Sequence, residues 1–249
     1  DVVVIPDEEP LLGDVVSRVL RARQEATQTT PTTRNTARNW TILGKGRVVA
    51  FYSARGGSGR TLLAVTLAQT LQLDFQANVL LIDLNLHYGG VETYLGLEAK
   101  RTLHDLLPVA DELTDVYLRN VATRVGTTQL DVLPSPCSVE LAEEIGPEFV
   151  QRLLRVSRRY YDYVLVDLPT STDDDTLMTL QEADRILYPL ALDVPSLVSF
   201  RRGLDTLQRL GIDIGADRLS VVHNFVRRRG EVSPKDLAHV EEVAPFAIV

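Results

Sequence analysis

Cysteine is almost absent: Cys137 stands alone among 249 residues. One thiol can neither close a disulfide within the chain nor supply a Cys-pair metal site. Lysine is nearly as scarce, with Lys45, Lys100 and Lys235 set against 23 arginines. No apolar run reaches the ~18 residues that a membrane-crossing helix needs. The opening DVVVIPDEEP carries no basic stretch and meets Pro6 and acids at once, which is not the pattern of a signal peptide. A basic surplus is missing too: the net charge of −8 disfavours nucleic acid as the main partner, a local patch apart. These absences together set the expectation of a cytoplasmic protein. What is present is 45% hydrophobic and 24% charged, the composition of a globular chain with room for one large α/β domain and an appendage.

Short continuous runs of Val, Leu and Ile mark the strands. They lie at 47–54, Val79–Leu84, Leu130–Leu133, Tyr163–Leu168, Ile186–Leu192 and Leu219–Phe225, with a last one expected at Phe246–Val249. Runs without polar alternation belong to strands covered on both faces, as in a parallel sheet. Helices are expected between them at Arg60–Leu73, Glu148–Ser157, Thr176–Glu182, Ser196–Leu210 and Pro234–Val243. In the first of these, Leu63, Leu67 and Leu71 recur four apart and predict one core-facing stripe. The alternation predicts an α/β fold with a doubly wound, mostly parallel sheet over residues 46–249. Residues 1–23 read as one strand and one amphipathic helix, too little for a core, and so as the end of another domain. The Thr-rich stretch 24–45 reads as a linker. The chain stops inside an apolar run, and a longer protein is expected at both ends.

The strongest signal is Ala54-Arg55-Gly56-Gly57-Ser58-Gly59-Arg60-Thr61, set between a strand and a helix. Glycines let backbone N–H groups turn inward and approach a phosphate closely. The helix N-terminus adds unpaired N–H groups and the positive end of its dipole. Thr61 is placed to offer a magnesium-ligand hydroxyl. Against the pattern G-x-x-x-x-G-K-[ST], Ala54 stands for the first glycine and Arg60 for the lysine; a tight structural junction is the alternative. Two carboxylates follow at strand ends, Asp83 in LLIDLNLHYGG and Asp167 in YDYVLVDLPT. Ligands of open parallel sheets bind at the carboxyl ends of strands, so both can face the loop. Either can hold magnesium, directly or through water, or orient an attacking water. Either alone can also cap the next helix.

Other features carry less. Asp173-Asp174-Asp175 precedes a helix and reads as capping. Arg227-Arg228-Arg229 reads as a solvated loop, with nucleotide, a partner or DNA as alternatives. The four histidines are too scattered for a metal site, and His223 is expected in the core or at a sheet edge. Tyr160, Tyr161 and Tyr163 lead into a buried strand.

ARGGSGRT, LLIDLNLHYGG, YDYVLVDLPTS and VVHNFVRRRGEVS resemble the deviant Walker A (SIMIBI) ATPases of the MinD/ParA type, a P-loop NTPase fold. The likeness covers roughly residues 46–249 and is nearest to the CpaE/TadZ branch, linked to localising pilus-assembly machinery at a cell pole. Residues 1–23 are similar to the last β–α of the receiver-like domain that precedes the ATPase there. The resemblance implies ATP or ADP with Mg²⁺, held by Gly56, Gly57, Ser58, Gly59, Arg60, Thr61, Leu62 and Asn224, the last at the adenine-contacting position. Thr61, Asp83 and Asp167 would serve the metal. Arg55, Arg60 and Asp83 would serve the chemistry, Arg55 reaching across a homodimer whose nucleotides lie between two faces.

Three departures from that family bear on hydrolysis. Arg60 replaces the Walker lysine, and a planar guanidinium does not enter the loop as a compact ammonium does. Asn85 replaces the second acid of the D-x-D. Arg55 replaces the signature lysine, a role that suits an arginine finger. A cluster-bridging iron-protein relative would need two cysteines per subunit, so electron transfer is excluded. The expectation is a slow cytoplasmic ATPase acting as a localisation switch for pilus-assembly or secretion proteins, with a place at a cell pole implied by the resemblance alone. A degenerate nucleotide-binding scaffold and a DNA-segregation ATPase are the alternatives, and a peripheral membrane contact is compatible with either.

Overall fold

Short apolar segments that cannot cover themselves assemble here into one sheet. The computed structural model describes residues 46–224 other than 127, 129 and 216, together with the backbone of 247–248. The strand–helix unit of 1–23, the linker 24–45, the helix expected at Pro234–Val243 and Arg227–Arg229 lie outside the described residues. The strands are β1 (Arg47–Phe51), β2 (Val79–Asp83), β3 (Thr123–Arg124), β4 (Leu130–Leu133), β5 (Tyr163–Asp167), β6 (Arg185–Ala191), β7 (Leu219–Asn224) and β8 (Ala247–Ile248). Their spatial order is β3-β4-β2-β5-β1-β6-β7-β8. All neighbours pair in parallel except β3, which runs antiparallel to β4.

Helices cover both faces, as the uninterrupted apolar strands require. They are α1 (Arg60–Leu73), α2 (Val91–Leu95), α3 (Asp115–Val121), α4 (Val139–Glu143), α5 (Pro147–Ser157), α6 (Asp174–Glu182) and α7 (Val194–Arg209), with a 3-10 helix at Leu103–Glu112. Alternate strand residues serve opposite layers. Val49, Phe51, Leu81 and Leu165 pack with Ala64, Val65, Ala68 and Leu71 of α1. Val48, Ala50, Ile82 and Val166 pack with Phe149, Val150 and Leu153 of α5 and with Phe200 and Leu207 of α7.

The face of α1 differs from the leucine stripe that spacing predicts. Ala64, Val65, Ala68 and Leu71 are its buried residues, while Leu63 and Leu67 flank them, half-buried. Small side chains let this helix lie close to the sheet, and the leucines close the seam at its sides. Asp173 caps α6 by accepting a hydrogen bond from the Thr176 N–H at 3.0 Å, so the acidic triplet begins as a cap. None of the helices of the described residues is long and apolar enough to cross a membrane.

The order of strands fixes where the chemistry sits. β5 lies between β1 and β2, and the register sets Asp167 beside Phe51 on one side and beside Asp83 on the other. The end of β1, where the glycine-rich loop starts, and both strand-end carboxylates therefore share one row at the carboxyl edge.

Candidate functional site

The loop leaves β1 at Phe51 and turns into α1 through Gly59, whose φ of 88° and ψ of 20° lie in the left-handed region. Gly57 is left-handed as well, with φ of 75°. A side chain at either would strain the backbone, so the turn depends on glycine. The first helical hydrogen bond runs from the Leu63 N–H to the Gly59 carbonyl at 2.9 Å. No side chain caps α1. The N–H groups of Arg60, Thr61 and Leu62 thus have no acceptor within the helix and point out of its positive end, as anion binding requires. The Leu62 side chain is exposed, so its contribution to a phosphate is its backbone N–H.

Distant side chains hold the loop. The Asn224 side-chain N–H donates to the Ser58 carbonyl at 2.8 Å. Ser53 Oγ donates to the Arg55 carbonyl at 3.0 Å, a local turn at the loop's start. The Ala54 N–H donates to the Tyr188 hydroxyl at 2.9 Å. Arg55 turns outward, its guanidinium 3.4 Å from Asp193, with both side chains about 40% exposed. Asp193 also caps α7 by accepting the Ser196 N–H at 2.7 Å.

Beneath the loop, Thr61 Oγ1 donates to Asp167 Oδ2 at 2.6 Å. The other oxygen, Asp167 Oδ1, is buried and has no hydrogen-bond partner among the described residues. Asp83 differs. Its Oδ1 accepts the Asn85 N–H at 2.9 Å and its Oδ2 the Val91 N–H at 3.1 Å. Asp83 thus braces the 85–91 loop and the first residue of α2, so the helix-capping alternative holds for it as a backbone role. Asn85 donates its side-chain N–H to the Gly89 carbonyl at 2.9 Å, closing the same loop. Burial pushes the Asp83 carboxyl up to about 7, with the neighbouring charge of Asp167 adding to it. Burial also lifts Asp167 to about 6, against the Thr61 hydrogen bond and the nearby Arg60.

Arg60 is folded back toward the sheet. Its Nη1 donates to the Leu168 carbonyl at 2.7 Å and lies 3.5 Å from the Ser53 carbonyl. Burial lowers its pKa, opposed first by the charge of Asp167. The guanidinium braces the carboxyl ends of β1 and β5 and places a cation near the Asp167 carboxylate.

These residues fit a magnesium-bound nucleoside phosphate. Magnesium is held as a rule through one or two carboxylates, phosphate oxygens and water. Thr61 and the open oxygen of Asp167 supply that donor set, and the loop N–H groups supply the anion cradle. Among the described residues no group of three or more His, Cys, Asp and Glu side chains forms a separate metal site. Tyr188 and Asp193 belong to the site but carry no motif, and sequence reasoning missed both; the one signal on offer was an Asp before a Val-Pro helix start.

An AAA domain family model matches residues 46–212. The chain is 25% identical over 203 residues to an uncharacterized ATP-binding protein of Methanocaldococcus jannaschii, covering 81% of this chain and 73% of that one. It is 27% identical over 166 residues to the chromosome-partitioning ATPase Soj of Treponema pallidum, covering 66% of this chain and 65% of that one. Among solved structures, a ParA family ATPase from Chlorobium tepidum superposes with a TM-score of 0.76 at 25% identity, covering 83% of this chain and 85% of that one.

Proposed function

The chain belongs to the AAA domain family, and from that premise we propose that it binds ATP with Mg²⁺ and works as a dimerising spatial switch of the deviant Walker A type. One observation carries the nucleotide reading: the Thr61 hydroxyl sits on Asp167 while the second, buried oxygen of that carboxylate stays open under an uncapped helix N-terminus. Bound magnesium would supply charge neutralisation of the phosphates there. Thr61 and Asp167 would hold it, the N–H groups of 56–62 would hold the phosphates, and Asp83 would tie the 85–91 loop to their occupancy. The outward, lightly held Arg55 supports a role in trans, on the nucleotide of a second copy. Resemblance to the CpaE/TadZ branch supports a cytoplasmic place near a pole and pilus-assembly or secretion partners. The test is titration calorimetry of the full chain with a slowly hydrolysed ATP analogue, with and without Mg²⁺, beside Thr61→Ala. Mg²⁺-dependent binding lost in the variant is the expected result; equal heats in all arms would remove the reading.

A second reading, a scaffold that binds nucleotide without useful turnover, rests on Arg60. Its guanidinium is engaged with the Leu168 and Ser53 carbonyls, as a bracing residue would be. Phosphate release by the purified chain separates the two.

A further inference from the structure

Tyr188 is 1% exposed and stands edge-on between two rings. Its centroid lies 6.0 Å from Tyr52 and 4.9 Å from Phe200 of α7, at interplanar angles of 77° and 72°. That packing leaves the ring little freedom, so its hydroxyl is fixed in place. The hydroxyl accepts the N–H of Ala54, the first residue of the glycine-rich loop, at 2.9 Å. Ala54 is held from a second side by α7. A Cβ added at Gly203 would come within 2.8 Å of the Ala54 Cβ and 3.6 Å of the Tyr188 hydroxyl. The Ala54 Cβ is fixed to its backbone and cannot yield as a flexible side-chain tip does, so any residue larger than glycine at 203 must displace the loop's start. Arg55, next in the chain, meets Asp193 at the beginning of the same helix.

We propose that Tyr188 and Gly203 are positioning residues for the phosphate loop, setting through Ala54 the geometry in which its N–H groups meet a nucleotide. Neither touches the nucleotide. Tyr188 fixes the direction of the Ala54 N–H, and Gly203 fixes how far Ala54 can move toward α7. The inference rests on the nucleotide-binding reading for its consequence, while the tether itself is a property of the free chain.

The experiment uses the full chain as wild type, Tyr188→Phe, Gly203→Ala and Tyr161→Phe. Phenylalanine at 188 keeps the ring and removes the hydroxyl, with its bonds to the Ala54 N–H and to Ser53. Tyr161→Phe is the control: its buried hydroxyl, 2.9 Å from Asp131, lies at the amino end of β5, away from the loop. Nucleotide affinity is measured with ATPγS and ADP, thermal stability by calorimetry, and exchange of the Ala54 amide by NMR on nucleotide-free protein. Expected are an affinity loss of about three- to tenfold in Tyr188→Phe, as one neutral hydrogen bond implies, and a loss in Gly203→Ala. Tyr161→Phe should lower the melting temperature at unchanged affinity, and the Ala54 amide should exchange faster in Tyr188→Phe. Unchanged affinity in both loop variants would overturn the proposal, as would affinity losses that follow melting temperature in all three. Should the wild type bind no nucleotide, the proposed function falls and amide exchange alone judges the tether. Faster exchange at Ala54 in Tyr188→Phe then supports it, and equal exchange overturns it.

Discussion

Removing the charge of Asp83 should flatten the pH dependence of stability in the nucleotide-free protein. Asp83 and Asp167 are 0% and 1% exposed and sit side by side on β2 and β5. Burial first, and then their mutual repulsion at Asp83, lifts them from an ordinary 3.8 to about 7 and about 6. Between 3.8 and those values the folded protein holds protons that the unfolded chain has released. Their contribution to stability is therefore fully present below pH 3.8 and is lost as pH rises through 6 and 7. From pH 5 to pH 8 about two units of that window fall on Asp83 and about one on Asp167, which at ~1.4 kcal/mol per unit is a loss of roughly 2–4 kcal/mol for the coupled pair. Asp83→Asn removes the larger share and leaves that of Asp167. The variant should lose only about 1 kcal/mol over the same range and exceed wild type at pH 8 by about 1–2 kcal/mol. Urea unfolding at four pH values, without nucleotide or Mg²⁺, measures this. Parallel curves for the two proteins would refute the reasoning, because the buried pair would then not be the source of the slope.

Gly59→Val should abolish nucleotide binding and cost about 1–3 kcal/mol of stability, since a branched residue is forced to a φ of 88°; calorimetric titration and a retained cooperative melt check both parts. Arg60→Lys should raise phosphate release from a slow wild-type rate, an ammonium being better shaped for the β/γ-phosphates. A wild-type rate already at about 1–100 s⁻¹ would count against that. Arg55→Ala should weaken ATP-dependent dimerisation by roughly 2–5 kcal/mol, the usual cost of truncating one partner of a buried charged pair, and change monomer affinity for ADP far less. Sedimentation with and without ATPγS decides it, and equal dimerisation in all samples would make Arg55 an ordinary surface arginine.

Most of the sheet was legible because parallel strands covered on both faces leave no polar alternation, and six such runs became β1, β2 and β4 to β7, shortened by up to three residues. The shared edge of Asp83 and Asp167 was legible for the same reason: both stand at the carboxyl ends of apolar runs. The stretch 86–146, β4 apart, was not. α2, α4 and β3 span five, five and two residues, too short to print a period, and Pro108 lies inside the 3-10 helix. α1 was placed to the residue but with its stripe rotated, because alanine contributes little to a hydrophobic pattern yet is what close helix–sheet packing selects. The roles of Tyr188, Gly203 and Asn224 were hidden in another way. Each acts on the loop from more than 130 positions away, on a carbonyl, an N–H or a Cβ that leaves no trace in the sequence.

The strand order also bears on how the chain comes off the ribosome. β1, which launches the glycine-rich loop, has both of its neighbours, β5 and β6, encoded more than 110 residues later. Until residue 167 has emerged, Val48 to Phe51 form a bare apolar edge with no template on either side, and α1 has only half a floor. Such non-local pairing folds slowly, because long loops must close before any contact rewards them. A nascent chain stopped near residue 160 would present that edge to any passing strand, which makes the centre of the sheet the place where chaperones would be needed most.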